Sequence, residues 1–315
     1  MPSIAIDLGG TTIKLGVIGN GRIIAQTKLP GEADGTVEKS LQRSGIAIRE
    51  LLQQQKIIKN ELTGIGISFP GIVDAKHNRV KSDFIKYRDA SQFDFDKWSR
   101  DEWQLPIAVE NDARAALAGE WQHGAGKGCD NIVMLTLGTG IGSAVVSEGK
   151  LFRGSHFIGG SLAGHICINL HGAICSCGYF GCLETEASTW ILPAKAALHE
   201  GFGESSLSKI SAIQFHNIFE EADKGDGLAQ QLIKECLSAW GVCAVNTVHA
   251  HDPEMIIIGG SIMKQAAIII PFIQNMVDKY AWLPQGTIQV KAASQVEFAS
   301  LLGMDYMLTN KLGNK

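Results

Sequence analysis

The sequence predicts a duplicated α/β fold of two domains with a cysteine-rich loop. Three observations lead there. The chain has 315 residues, enough for two domains of ordinary size with full cores. Two distant stretches, residues 4–18 and 131–146, share one character: an apolar strand, a Gly/Thr turn and a second apolar strand. A third stretch, residues 162–184 (LAGHICINLHGAICSCGYFGCLE), gathers three cysteines and a histidine in a glycine-punctuated loop.

Composition excludes several classes. Hydrophobic content is 45% and charged content 19%, a globular balance. A net charge of −4 offers no basic surface to nucleic acid or an anionic membrane. The start, MPSIAIDLGG, enters a strand-like run directly, without the charged and apolar regions of a signal peptide. No apolar run approaches the roughly 20 residues that cross a bilayer. Seven cysteines, an odd total, argue against a disulfide framework, so a reducing cytoplasm is expected.

Taken in order, residues 4–18 form strand, tight turn, strand. The turn carries Gly9 and Gly10, then Thr11, Thr12 and Lys14. Glycines let a ligand approach the backbone, and hydroxyls with N–H groups can hold phosphate oxygens. Asp7 ends the first strand, where a carboxylate could orient a metal-bound water beside those phosphates. On these residues alone an ordinary glycine-turn hairpin fits as well. Residues 38–55 place Leu41, Ile46, Ile48, Leu51 and Leu52 near helical spacing, so a helix packs one face on the sheet. Residues 62–68 are β-like, and Phe69-Pro70-Gly71 stops them. Residues 77–103 are polar, with Phe84, Phe93, Phe95, Trp98 and Trp103 interleaved: a loop, then a short helix near 95–102, the aromatics serving packing.

A short strand, residues 107–109, leads to Glu110-Asn111-Asp112 and a helix over 113–121. Spacing alone makes Asp112 a helix N-cap. Residues 131–146 form the second hairpin, around Gly138-Thr139-Gly140. Ser143 stands where a dinucleotide fingerprint needs its third glycine. GAGKG at 124–128 is no P-loop either, because Trp121 replaces the first glycine and Gly128 follows the lysine. Two hairpins of this kind fit a duplication in which each half offers a phosphate-gripping turn to one cleft.

In the cysteine-rich loop, His165, Cys175, Cys177 and Cys182 are the soft ligands of a tetrahedral zinc site. Four protein ligands close such a site to water, so its expected role is structural. Buried free cysteines are the plainer alternative. Residues 185–199 are expected to be one helix and 228–250 a long one, ended by Asp252-Pro253. A strand over 255–258 runs into Gly259-Gly260-Ser261, and a final helix covers 299–314.

The spacing GH-x9-C-x-C-G-x2-G-C-L-E resembles the zinc signature of the ROK family, which holds bacterial sugar kinases and related repressors. DLGGTTIK resembles that family's first phosphate motif. SFPG resembles its GxPG turn, with Ser68 where glycine is usual. ENDARAALAGEW, the Gly138–Gly140 turn and DPEMIIIGGSI resemble its base, second phosphate and adenosine motifs. The resemblance implies an actin-like (ribonuclease-H-like) duplicated fold with a cleft between domains: residues 1–112 with the helix 299–315, and residues 113–298 with the zinc loop 165–182. It implies an ATP:hexose phosphotransferase, glucokinase-like, acting at a 6-OH. Asp112 would be the general base, and Asn111, His165 and Glu184 would hold the sugar. Asp7, Gly9, Gly10, Thr11, Thr12, Lys14, Gly138, Thr139 and Gly140 would line the phosphates, and Gly259 and Gly260 would lie near adenosine. ATP with Mg2+, structural Zn2+ and a homodimer are implied as well. One position departs: Leu162 occupies the place of a glutamate that binds sugar hydroxyls near the anomeric end. A leucine accepts no hydrogen bond, so the substrate contacts do not carry over whole. A sugar-responsive repressor or non-catalytic sensor shares these motifs. With Asp7 beginning the core, a winged helix-turn-helix before it is not expected, and a sensor has no need of the base and phosphate turns.

Overall fold

The structure is a computed structural model that describes residues 1–31, 35–82 and 87–313. Phe84 and Asn314 lie outside the described residues. In chain order the strands are β1 (Ser3–Leu8), β2 (Thr12–Gly19), β3 (Arg22–Pro30), β4 (Ile65–Phe69), β5 (Val73–Asp74), β6 (Arg79–Val80), β7 (Ile107–Asn111), β8 (Ile132–Leu137), β9 (Ile141–Ser147), β10 (Lys150–Leu151), β11 (Met255–Gly259) and β12 (Gln289–Ala292). The helices are α1 (Val37–Gln54), α2 (Phe95–Trp98), α3 (Asp112–His123), α4 (Leu183–Ala187), α5 (Leu192–Ala197), α6 (Phe215–Asp223), α7 (Gly227–His251), α8 (Ala266–Tyr280) and α9 (Ala299–Gly313).

Two compact units result: Met1–Gly128 with Arg153–Ile158 and Glu297–Lys315, and Cys129–Phe152 with Gly159–Val296. The first holds a sheet in the order β3-β2-β1-β4-β7. β1 to β3 form an antiparallel meander, while β4 and β7 run parallel to β1. Every residue of β1, β4 and β7 is buried, as a sheet covered on both faces requires. Helix α1 begins at Thr36, whose hydroxyl accepts from Lys39 N, and buries Leu41, Ile48, Leu51 and Leu52 against the sheet.

The second unit repeats the pattern. Its sheet runs β10-β9-β8-β11-β12, with the same sequence of antiparallel and parallel pairings. The two hairpins read from sequence are therefore equivalent strands of a duplicated motif. Helix α7 ends at Asp252, held at φ 45°, ahead of Pro253.

One expected element is not continuous. Residues 185–199 are not a single helix: α4 stops at Ala187, Ser188 is extended, Thr189–Ile191 form a 3-10 turn, and α5 restarts with Pro193 in its first turn. The reason is competition for donors. Thr189 N and Trp190 N bond to the carbonyls of Gly138 and Thr139, so they are lost to a helix ladder.

Candidate functional site

In the first unit, the end of β1, the β4 turn and the β7–α3 junction converge. Asp7 lies 9% exposed. Ser68 Oγ donates to Asp7 Oδ1 at 2.8 Å, Ser300 Oγ donates to Oδ2 at 2.8 Å, and Lys14 Nζ lies 3.6 Å from Oδ2. The carboxylate is thus oriented from two sides. Ser68, which departs from the family pattern, is a partner of Asp7, and Ser300 is a partner that no sequence motif announced. Tyr87 Oη reaches Gly9 O at 3.2 Å and fixes the start of the glycine turn.

At the β7–α3 junction the cap is Asn111, not Asp112. Asn111 Oδ1 accepts from Arg114 N at 3.1 Å, and its amide nitrogen donates to Gly71 O and to Asp112 Oδ1, both at 3.0 Å. Asp112 is left at the first helical position, where Ala113 N donates to Oδ1 at 2.8 Å. Burial, with the Asp7 charge second, pushes the Asp112 carboxyl up to about 6. A carboxylate near that value suits proton abstraction at neutral pH.

In the second unit, three segments meet around the β8–β9 turn. Gly138 O accepts from both Thr189 N (3.0 Å) and Thr189 Oγ1 (2.8 Å). Gly260, at φ 99°, brings the β11 turn so close that an added Cβ would stand 2.1 Å from Leu137 O. Beside this turn lies a cavity of about 200 Å³ lined by Thr189, Gln214, His216, Phe219, Ser261 and Gln265, among others. Gln214 and His216 come from the start of α6, a region without a motif, so sequence reasoning missed them. Glu184 Oε1 accepts from Ile141 N at 3.0 Å and Oε2 from Trp190 Nε1 at 3.2 Å. Glu184 is thereby attached to the glycine turn as well as to α4.

The soft ligands also converge. The donor atoms of His165, Cys175, Cys177 and Cys182 lie within 4.8 Å of one another. Cys177 Sγ and Cys182 Sγ are 3.7 Å apart, close to the ~3.8 Å edge of a tetrahedron with metal–sulfur bonds of about 2.3 Å. Cys175 Sγ lies 3.6 Å from His165 Nδ1, which leaves Nε2 as the ring atom that can meet a hydroxyl. Burial and the adjacent thiols push Cys182 up to about 12, a cost that a bound cation would reverse. The set is compatible with structural zinc. Gly181, at φ 61°, permits the reversal before Cys182, and its Cβ would stand 1.7 Å from Asn169 O.

The chain is similar to known proteins along nearly its whole length. A model of the ROK family matches residues 3–311. The glucokinase of Thermotoga maritima is 30% identical over 319 residues, 98% of each chain. The β-glucoside kinase of Listeria monocytogenes is 30% identical over 321 residues, 97% of each chain. The solved structure of a ROK family glucokinase from Streptomyces griseus, in complex with glucose and AMPPNP, has a TM-score of 0.78 at 28% identity, covering 98% of this chain and 100% of that one. The fold is that of the actin-like ATPases, and the chain belongs to the ROK family.

Proposed function

We propose that the protein is an ATP-dependent sugar kinase that phosphorylates a hexose, at its 6-hydroxyl, with Asp112 as general base. The observation that carries this reading is the Asp112 carboxylate: relieved of capping by Asn111, raised to about 6, and set beside the Asp7 charge. The two named kinase relatives, matched over nearly their whole length, support the reaction class.

Asp112 Oδ2 would take the proton of the attacking hydroxyl as the phosphoryl group leaves ATP. Asn111, His165 Nε2 and Glu184 would orient the sugar. Backbone N–H groups of the Gly9–Thr12 and Gly138–Gly140 turns, with Lys14, would hold phosphate oxygens. Magnesium bound with the nucleotide supplies charge neutralisation, and Asp7, oriented by Ser68 and Ser300, would face its water. The adenosine would lie against Gly259 and Gly260, next to the cavity lined by Gln214 and His216. The catalytic contribution is positioning and charge stabilisation.

Leu162 sets the substrate apart. The residue is 37% exposed, directly before the 3-10 turn that carries His165. A hydroxyl facing leucine would lose a partner, at a cost on the order of 1–3 kcal/mol. The pocket would therefore favour a sugar with a less polar group at that end, as a glycoside presents. The β-glucoside kinase among the relatives fits this direction.

The test is an ATP-coupled assay of zinc-loaded protein against hexoses, N-acetylhexosamines, deoxy sugars and simple glycosides. Turnover with one class establishes the kinase. ATP binding without turnover on any sugar would instead support the non-catalytic sensor. Leu162→Glu should lower the glucose KM by about tenfold, the equivalent of one recovered hydrogen bond. An unchanged glucose KM would remove the specificity argument.

A further inference from the structure

Glu110, the residue before the Asn111–Asp112 pair, is a carboxylate only 1% exposed and held by two guanidinium groups. Arg153 Nε donates to Glu110 Oε2 at 2.7 Å, and Arg153 Nη2 lies 2.7 Å from the same oxygen. Arg114 Nη1 lies 3.5 Å from Oε1. Oε1 also accepts from Asn111 N at 2.9 Å, so the carboxylate grips the backbone of the very residue that caps α3. Arg114 is fully buried, and its Nη2 donates to Phe157 O at 2.8 Å.

These bonds have a common consequence. The segment Arg153–Ile158 leaves β10, belongs to the first unit, and continues in sequence to Leu162 and His165. Arg153, its first residue, is held by the residue before the pair. Phe157, near its end, is held by the residue two places after Asp112. The Asn111–Asp112 backbone is thus bracketed by one strap, and the Glu110 side chain is 2% exposed while that of Arg153 is 36% exposed. Its fork makes a two-point contact that a lysine cannot reproduce.

We propose that Arg153 is a positioning residue for phosphoryl transfer, holding Asn111 and Asp112 in register through the carboxylate of Glu110. This rests on the assignment of Asp112 as base. Misplacement of a reacting group by about 1 Å can cost 10²-fold in rate. Loss of the two-point grip should therefore act on kcat while leaving the nucleotide site alone.

The experiment compares Arg153→Met, Arg153→Lys and Asp112→Asn in zinc-loaded protein, with kcat, both KM values and thermal midpoint measured for each. Methionine preserves the aliphatic stem, and Glu110 keeps Arg114 and Asn111 N as partners, so the thermal midpoint reports how much stability the lost ion pair costs. The expected result for Arg153→Met is a kcat lower by about tenfold or more, an ATP KM within about twofold of the parent, and cooperative melting. Arg153→Lys should recover only part of the loss. An inactive Asp112→Asn beside an Arg153→Met with the parent kcat would overturn the positioning role and leave the base assignment standing. An active Asp112→Asn would overturn the base assignment, whatever Arg153→Met did. Should Arg153→Met fail to fold, Arg153→Lys decides: kcat at the parent value rejects the proposal, and a reduced kcat with unchanged ATP KM upholds it.

Discussion

Asp112 shows how one side chain can be read two ways until its neighbours are known. A carboxylate at a strand-to-helix junction is usually a cap, and only the placement of Asn111 in that role leaves Asp112 for chemistry. Its raised pKa has two consequences. As the proposed base, Asp112 must be ionised, so kcat should fall below about pH 6 with unit slope, about two pH units higher than an ordinary carboxylate would give. A profile flat down to pH 5 would contradict the assignment. The second consequence concerns stability. With the folded pKa above the unfolded one, the native state binds the proton more tightly, so stability falls as pH rises from about 4 to 6, and the full penalty applies at neutral pH. Asp112→Asn should therefore abolish turnover, leave sugar affinity largely intact and raise the melting temperature at pH 7.5 but not at pH 4, a gain of up to about 3 kcal/mol at about 1.4 kcal/mol per pKa unit. Activity retained by the asparagine variant would remove the base. Ser68 was visible in the sequence only as an unusual residue. That it would bond to Asp7 could not be read, because the pairing depends on the parallel register of β1 and β4.

At the scale of elements, legibility followed whether a segment's hydrogen bonds were local. Helix α1, the long α7 and the strand–turn–strand hairpins were readable from periodicity because their donors pair within the element or with an adjacent strand. Residues 185–199 were not, because Thr189 and Trp190 pair with the β8–β9 turn about 50 residues away. Strand β3 was also missed, although its Asn20-Gly21 turn has both residues at positive φ, the hairpin turn that favours this dipeptide. Helix α9 was expected, but its tightest contact was not. A Cβ on Gly303 would stand 1.8 Å from Ala115 O, and one on Gly119 would stand 2.0 Å from Ala299 O. Helices α3 and α9 therefore cross at backbone distance. Two effects oppose each other in Gly303→Ala: helix propensity favours alanine by about 1 kcal/mol, and overpacking costs about 1–3 kcal/mol or more. A clash with backbone, which cannot rotate away, should win, for a net loss of about 2 kcal/mol and a lower denaturant midpoint. Gly201→Ala is the control. Its φ is 82° with nothing within 4 Å, so only the backbone strain of about 1 kcal/mol applies. Equal midpoints for the two variants would show that the α3–α9 crossing can relax.

The whole molecule repeats one strand plan twice, and each copy encloses its own core. One core is built around Ile4, Ile6, Leu15, Ile65 and Phe69, the other around Leu135, Leu183, Trp240, Ile256 and Ile258. The duplication was legible because both copies keep the apolar–glycine–apolar hairpin. The residues that tailor each copy, such as Gln214 and His216 or Glu110 and Arg153, were not, because they meet only after folding. The four candidate zinc ligands lie wholly within the second unit. Cys182 immediately precedes α4, which carries Glu184, and two isolated bridges, Cys167 with Cys182 and Ile174 with Phe180, hold the loop to itself. Metal removal should act there first. Small zinc domains derive on the order of 10 kcal/mol of apparent folding energy from the ion. A larger unit with its own core would lose less, several kcal/mol, or about 10–20 °C at roughly 2–4 °C per kcal/mol for a body of this size. Calorimetry of chelator-treated protein should then show part of the unfolding enthalpy displaced to lower temperature and the remainder in place, with zinc restoring one profile. Turnover should fall with the displaced transition, because Glu184 and the Gly138–Gly140 turn share hydrogen bonds with the segment that follows the loop. If the whole endotherm moved together, the two units would melt as one cooperative body. If nothing moved and activity persisted, the four ligands would be a thiol cluster without a structural ion.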